Sequence, residues 1–596
     1  MKKTYHTLII GTGCAGYNAA DKLYDLGVRD IAIVTEGRYM GTSRNTGSDK
    51  QTYYKLSLCG AEGDSVREMA DTLYSGGGVM GEHALAEAAY SVRCFMRLVE
   101  LGVPFPTNEY GEYAGYKTDH DPRTRATSCG PLTSKYMTEA LERSVIGKGI
   151  EIIDFQRVIK ILTEDNTVAG VACANTVTGE ISVISCQNVI LCTGGPAGIY
   201  KNTVYPESQH GATGLAIDAG ASLSNMEEWQ YGIASTKFRW NLSGTYQQVL
   251  PRYISVDKNG NEREFLYEKL GSESLGLIFL KGYQWPFDTR KVEGSSKVDL
   301  LVAEEIKQGN RVFMDFLNNP TGLENGFEVL PEEAYTYLEK SGALFGTPIE
   351  RLAKMNVGAI ELYANHGIDL YKEPLEIAVC AQHCNGGVTV DANWQSEVSG
   401  LYVAGEAAGT FGVYRPGGSA LNSTQVGGLR AAEHIAKRKD GCFKAPSYQN
   451  ASVRIGVSNL KELREYMQTE MSNNADFDRS IDGMKKLFAE VSKLCEDFFE
   501  MACISTPSEI AELFKLYDMA LTQRAALSAM ICSAEAIGTH GSAFVDRKPD
   551  LMKGQARTTR TVTRGALSEI VEISPMPKPE LWFETLLARQ KAEKNL

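Results

Sequence analysis

Residues 7–20 read Thr-Leu-Ile-Ile-Gly-Thr-Gly-Cys-Ala-Gly-Tyr-Asn-Ala-Ala, and Glu36 stands twenty residues beyond Gly16. Leu8, Ile9 and Ile10 form the short apolar run of a strand buried on both faces. Gly11 permits the tight turn out of that strand. Gly13 lets a diphosphate approach the backbone, and Gly16 lets the following helix pack close to the strand. Cys14 and Ala15 open that helix, whose first amides and partial positive charge favour an anion. Ile31 to Val34 read as the second strand, with Glu36 at its end as an acceptor for ribose hydroxyls. Strand, turn, helix and acid together predict a dinucleotide site.

Working outward, the first helix runs from Cys14 to about Leu26 and stops at Gly27, a suitable left-handed terminator. Residues 37–62 are rich in Gly, Ser, Thr and Asn and read as a ligand-covering loop in which Gly37, Thr42 and Ser43 face the dinucleotide. Residues 84–102 carry apolar side chains at helical spacing. Several short strands follow over 151–192, ending in Val189-Ile190-Leu191-Cys192. Thr193-Gly194-Gly195 follows at once, a second strand-to-glycine turn suited to nucleotide contact. Residues 209–221 read as a loop and helix closing that lobe. From about 225 to 356 aromatic and charged residues interleave and the dinucleotide pattern is absent, the mark of an inserted domain. Strands return over 386–408, including Gly400 to Glu406. Beyond 441 the chain turns helical, with Ile481, Met484, Leu487, Phe488, Val491 and Leu494 in register. Thr506-Pro507-Ser508-Glu509 reads as a capping box with proline at the first helical position.

The chain has 596 residues, an ordinary hydrophobic content and a net charge of −13. An acidic surface argues against nucleic acid and anionic membrane as partners. Met1 to His6 leaves no room for a leader, and no run approaches the ~20 apolar residues of a membrane span, so the expected location is cytoplasmic. The thirteen cysteines include no CxxC pair, which disfavours an internal iron–sulfur cluster and a disulfide framework. No metal site is expected.

Five segments in order carry a likeness: the N-terminal fingerprint, Cys192 to Gly195, Gly211 to Ala221, Gly386 to Asp391, and Gly405-Glu406 followed by Arg415 to Gln425. Together they resemble the flavoprotein subunits of succinate dehydrogenase and fumarate reductase, with L-aspartate oxidase as a cousin. The resemblance implies an α/β fold: a split Rossmann-like FAD-binding domain, an inserted α+β capping domain and a C-terminal helical domain. On it the chain divides as 1–225 and 356–440 (FAD-binding), 226–355 (capping), 441–550 (helical) and 551–596 (extension). It also implies that Glu406 holds the ribityl chain. Ser419, Ala420, Leu421 and Asn422 would lie near the isoalloxazine ring at a helix N-terminus, which stabilises an anionic reduced flavin.

At the substrate, the resemblance assigns Arg415, in Tyr-Arg-Pro-Gly-Gly, to a carboxylate, which a planar guanidinium binds through two parallel bonds. Counting back from Gly386-Gly387, the family histidine falls on Gln382, and His383 takes the neighbouring slot. Trp229-Gln230-Tyr231-Gly232 aligns with a stretch that carries a second family histidine, leaving Gln230 and Tyr231 as substitutes. The cap arginine that donates a proton in fumarate reductases has no counterpart in Ser295 to Leu301. Ser296 and Asp299 make a capping box there, and Lys297 and Arg290 are the candidate donors, with Arg252 and Tyr253 behind them. The attachment histidine of covalent members would fall at Arg44 to Thr46, so FAD is expected to be non-covalent.

These readings converge on an FAD-dependent oxidoreductase moving a hydride between flavin N5 and a carbon of a small, carboxylate-bearing molecule, enoate reductase-like. The missing histidines and cap arginine argue against fumarate or succinate itself, and Trp229, Tyr231 and Trp240 would suit a larger enoate or a polyol-like metabolite. The alternatives are an amino-acid oxidase of the L-aspartate oxidase type, or the flavin subunit of an electron-transfer complex with an external iron–sulfur or ferredoxin-like partner. An oligomer is compatible with all three.

Overall fold

The computed structural model describes residues 4–438, 443–444, 446–449, 451–550, 552, 556–579 and 582–594. Strand β1 (Thr4–Ile10) runs parallel between β2 (Ile31–Val34) and β6 (Ile181–Leu191). Its residues Leu8, Ile9 and Ile10 are buried, as an apolar run covered on both faces requires. On the outer side of β2 lies β3 (Glu151–Ile153), also parallel. An antiparallel meander, β4 (Gln156–Glu164) and β5 (Thr167–Asn175), joins the first half of β6. The order is β3-β2-β1-β6-β5-β4. Strand β13 (Leu401–Val403), arriving more than two hundred residues later, pairs with the second half of β6.

Helix α1 (Cys14–Asp25) ends at Leu26 with Gly27 in the left-handed region. Against it packs α3 (Ser419–Lys437). Gly428 makes the close approach possible, since a Cβ there would sit 3.2 Å from the carbonyl of Ala15 and the amide of Ala19. Asn18 Nδ2 adds a hydrogen bond to the carbonyl of Gln425 at 2.8 Å. The late segment thus completes the layer begun by the first fifty residues.

A second, antiparallel sheet holds β7 (Trp229–Ser235), β8 (Trp240–Asn241), β9 (Arg252–Val256), β10 (Glu262–Arg263), β11 (Arg311–Asp315) and β12 (Leu375–Cys384), in the order β8-β7-β12-β11-β9-β10. Strand β12 carries this sheet past residue 356, where composition marked a return to the first lobe. It pairs with β11 over 375–377 and with β7 over 377–384, so both of its neighbours belong to the second sheet.

Helix α2 (Ser296–Lys307) starts without the expected capping box. Asp299 instead turns into the core, 2.7 Å from Lys281 Nζ, with both side chains fully buried. Ser296 Oγ accepts the amide of Asp288. Beyond 441 come α4 (Leu460–Asn474), α5 (Ile481–Met501) and α6 (Ile510–Ala536). The expected box at Thr506 is replaced by a 3-10 turn, Pro507–Glu509, in which Glu509 accepts from the amide and hydroxyl of Ser505. The tail returns as a hairpin, Thr559–Arg564 with Leu567–Glu572, paired to Leu223–Ser224. Among the described residues no helix is long and apolar enough to cross a membrane.

Candidate active site

A cavity of about 530 Å³ runs along the ends of β1, β2 and β6 and under the second sheet. Its size is that of a ligand site rather than a packing defect. At the fingerprint it is lined by Gly11, Gly13 and Ala15. Gly11 has φ +108°, and a Cβ there would lie 2.5 Å from the carbonyl oxygen of Cys192. No side chain caps α1; the Cys14 amide meets Ser43 Oγ at 3.3 Å. The first-turn dipole therefore faces the cavity, as anion binding needs.

Glu36, Gly37, Thr42, Ser43, Thr193 and Gly194 also line it. Glu36 is held by Arg157 at 2.5 Å and by Lys515 of α6 at 2.9 Å. Burial opposes its ionisation, but the two cations prevail and keep its pKa at about 2. Beside them neither ring nitrogen of His210 hydrogen-bonds another described residue; burial, then Lys515, Arg464 and Arg157, push its pKa to about 3. Thr42 Oγ1, Thr193 Oγ1 and Arg157 Nη2 are likewise buried without partners. Unsatisfied buried polar atoms are costly, and this set around a glycine cradle fits a dinucleotide.

Further along, Gly405, Glu406, Ala420 and Leu421 form the wall. Glu406 accepts from the Tyr205 hydroxyl and from the Cys384 amide at 3.0 Å. Burial raises its pKa to about 7 against these bonds. Helix α3 starts here at Gly418, φ +91°, with no side-chain cap.

Several expected cofactor residues stand behind the wall. Cys14 Sγ meets Thr138 Oγ1 at 3.0 Å. A Cβ on Gly16 would run into the carbonyl of Gly11, and one on Gly195 into Glu406, so these glycines allow close packing. Ser419 Oγ donates to the Pro416 carbonyl. Asn422 is consumed by Glu87 and Tyr53.

Elsewhere on the wall Arg415, Gln382, His383 and Gln230 line the cavity. The register of β7 with β12 explains the pairing of two successive residues on one wall. Gln230 faces His383 and Tyr231 faces Ala381, which leaves Gln382 as the extra residue of a β-bulge. A bulge re-aims side chains that would otherwise alternate. Arg415 is buried, with Phe411 5.7 Å from its guanidinium. It makes no hydrogen bond or ion pair with another described residue, and its Nε is orphaned. Burial lowers its pKa to about 10, with Glu406 and Tyr205 opposing; it remains a cation at neutral pH. His383 donates from Nδ1 to Asn385 Oδ1 at 3.0 Å, and burial, then Arg415, hold its pKa well below the usual value. Its Nε2 is bare.

Tyr231 points away, bonded to the Tyr200 hydroxyl, because it alternates with Gln230 along β7. Lys297 is not part of the wall. Arg290 is not either; it is bound to Asp288 at 2.7 Å and stacked on Tyr414 at 3.7 Å. Arg252 pairs with Glu262 and Asp315, and Tyr253 with Gln247. Trp229, bonded to the Met226 carbonyl, and Trp240, stacked on Phe238, are core residues. The aromatic side chains that do line the cavity are Tyr116, Tyr283, Trp285 and Tyr337. Sequence reasoning also missed His210 and Lys515, whose only signal is polarity beside apolar neighbours.

The parallel sheet, glycine turns and capped cavity define a flavoprotein architecture. The chain matches the FAD binding domain family over residues 6–421, and it belongs to that family. Over 558 residues it is 26% identical to a fumarate reductase (CoM/CoB) subunit of Methanothermobacter marburgensis, covering 89% of this chain and 93% of that one. It is also 26% identical to L-aspartate oxidase of Agrobacterium fabrum, covering 77% and 79%. Among solved structures, a FrdA variant of E. coli quinol fumarate reductase superposes with TM-score 0.70 at 17% identity, covering 97% and 98%. The protein is an FAD-dependent oxidoreductase.

Proposed function

We propose that this protein exchanges a hydride between flavin N5 and a carbon of a carboxylate-bearing organic substrate, as an enoate reductase does. The observation that carries this reading is Arg415: a buried guanidinium that makes no hydrogen bond or close ion pair with another described residue, on the wall it shares with Gly405 and Glu406. A buried guanidinium with no hydrogen-bonded counter-ion is costly, and a substrate carboxylate offsets that cost through two parallel hydrogen bonds. When bound, FAD supplies the two-electron chemistry. Gly11, Gly13, Thr42, Ser43, Thr193 and Glu36 would hold its adenosine diphosphate half, and Glu406 with the start of α3 its ribityl and ring half.

His383, neutral and with no hydrogen bond at Nε2 among the described residues, accepts one from the ligand. The amides of Gln230 and Gln382 orient it. Lys297 and Arg290 stand outside this wall, so the proton falls to protic groups within it, among them His120, Lys117 and Tyr283. In the proposal FAD is held non-covalently, because Arg44, Asn45 and Thr46 offer no imidazole. Electrons arrive from an iron–sulfur or ferredoxin-like partner, which co-purification of an iron-containing polypeptide would reveal. The described cysteines are free thiols, which suits the reducing cytoplasm.

A second reading, oxidation of an amino acid, draws on the same wall: Gln230 Oε1, Gln382 Oε1 and His383 Nε2 are unpartnered acceptors that suit a substrate ammonium. Anaerobic mixing separates the two. Dithionite-reduced holoenzyme reoxidised by unsaturated carboxylates supports the reductase. Flavin reduction by L-aspartate with hydrogen peroxide released in air supports the oxidase and overturns the first reading.

A further inference from the structure

Along β7, residues 230 and 232 share a face, and Gln230 lines the cavity. Position 232 is glycine, and Trp285 fills the space above it. A Cβ at Gly232 would lie 2.5 Å from Cζ2 and 2.7 Å from Cε2 of Trp285. The indole Nε1 donates to the Ile233 carbonyl at 3.0 Å, and the Phe287 amide bonds the Tyr231 carbonyl at 2.8 Å. The segment is also fixed from behind. Lys281 Nζ donates to the carbonyls of Gln284 and Trp285 and pairs with buried Asp299. Trp285 is therefore a built part of the wall.

The wall carries the carboxylates of Glu36, Asp49, Asp119 and Glu406 as well as cations. Its lysines and arginines are Lys50, Lys117, Arg157 and Arg415. Arg157 is neutralised by Glu36, and Lys50 and Lys117 are exposed. Arg415 is the buried cation left for an anion. Near it stand the neutral amides of Gln230 and Gln382, each with an unpartnered oxygen. A second carboxylate would lose its hydration with no buried cation to receive it. A flat uncharged group would instead meet an indole and two amides.

We infer that the substrate is a monocarboxylate whose other end is a flat, uncharged, aryl-sized group lying against Trp285. This rests on the proposed role of Arg415 as the carboxylate grip.

The test is titration of oxidised, FAD-loaded protein with trans-cinnamate, fumarate and succinate, read from perturbation of the flavin absorbance band. Cinnamate is expected to bind at least about tenfold more tightly than either dicarboxylate. Trp285→Ala is expected to weaken cinnamate about tenfold without weakening fumarate, and Trp285→Phe, which keeps a flat ring, to retain most of the affinity. Tighter binding of fumarate than cinnamate, or equal loss of both in Trp285→Ala, overturns the inference. Arg415→Gln separates the two levels. If it abolishes cinnamate binding while fumarate outcompetes cinnamate in the unaltered protein, this inference alone fails. If it leaves cinnamate affinity unchanged, the carboxylate grip fails and the inference with it.

Discussion

His383 Nδ1 lies 3.0 Å from Asn385 Oδ1, and Asn385 cannot turn its amide over, because its Nδ2 donates to the Gly412 carbonyl at 2.7 Å. The proton of the neutral ring therefore sits on Nδ1, and Nε2 meets the cavity as an acceptor. Asn385→Asp replaces a neutral partner with a charged one. Its expected effect is to raise the His383 pKa by about one unit or more, read by NMR of a labelled imidazole. In the unaltered protein the same resonance should show a neutral ring at pH 6; titration near the ordinary histidine value would refute the assignment.

Glu36 makes acid stability measurable. Its native pKa is about 2 against an ordinary 4.5. A depressed carboxyl contributes stability that is present above its unfolded pKa and lost as pH falls towards the native one. Denaturant unfolding should thus lose on the order of 3 kcal/mol from this group between pH 5 and pH 2. Glu36→Gln should flatten that part of the profile, and an unchanged slope would count against the Arg157 and Lys515 pairing.

Asp299 and Lys281 form a fully buried pair. Burial raises the Asp299 pKa to about 6 against the pull of Lys281. Asp299→Ala leaves the ammonium unpaired and should cost about 3–5 kcal/mol, whereas Lys281→Met with Asp299→Leu should recover most of it. Chemical denaturation of the single and double variants measures the coupling, and additive losses would show that the pair does not act as a unit.

Acid precipitation tests cofactor attachment. All flavin absorbance should leave the protein pellet, since residues 44–46 offer no imidazole. Flavin retained after denaturation would locate a covalent link elsewhere.

The parallel lobe was legible because its signals are local. Leu8 to Ile10, Gly11, Gly13 and Gly16 each act within one strand–turn–helix unit, and the second turn at Thr193 repeats the pattern. Composition changes near residue 225, ahead of the second sheet, but the change near 356 falls short of β12, whose neighbours β11 and β7 both belong to that sheet. The wall around Arg415 was only half legible. Arg415 follows from its motif, whereas Gln382 and His383 share a wall through a bulge that a lone strand does not announce. Trp285 reaches Gly232 across more than fifty residues, and no spacing rule encodes that approach. Asp299 looked like a helix cap because Ser296 precedes it by three; its partner, Lys281, lies fifteen residues before that serine. Tyr231 was misplaced for the opposite reason: strict alternation along β7, once the strand is known, turns it away from Gln230.

The most direct test of the carboxylate grip is the rate at which an unsaturated monocarboxylate reoxidises the reduced holoenzyme anaerobically, compared between the unaltered protein and Arg415→Gln. The account predicts rapid reoxidation of the former and a loss of about a hundredfold or more in the latter, with reoxidation by an artificial acceptor unchanged. Equal rates with the carboxylate in both proteins would contradict it.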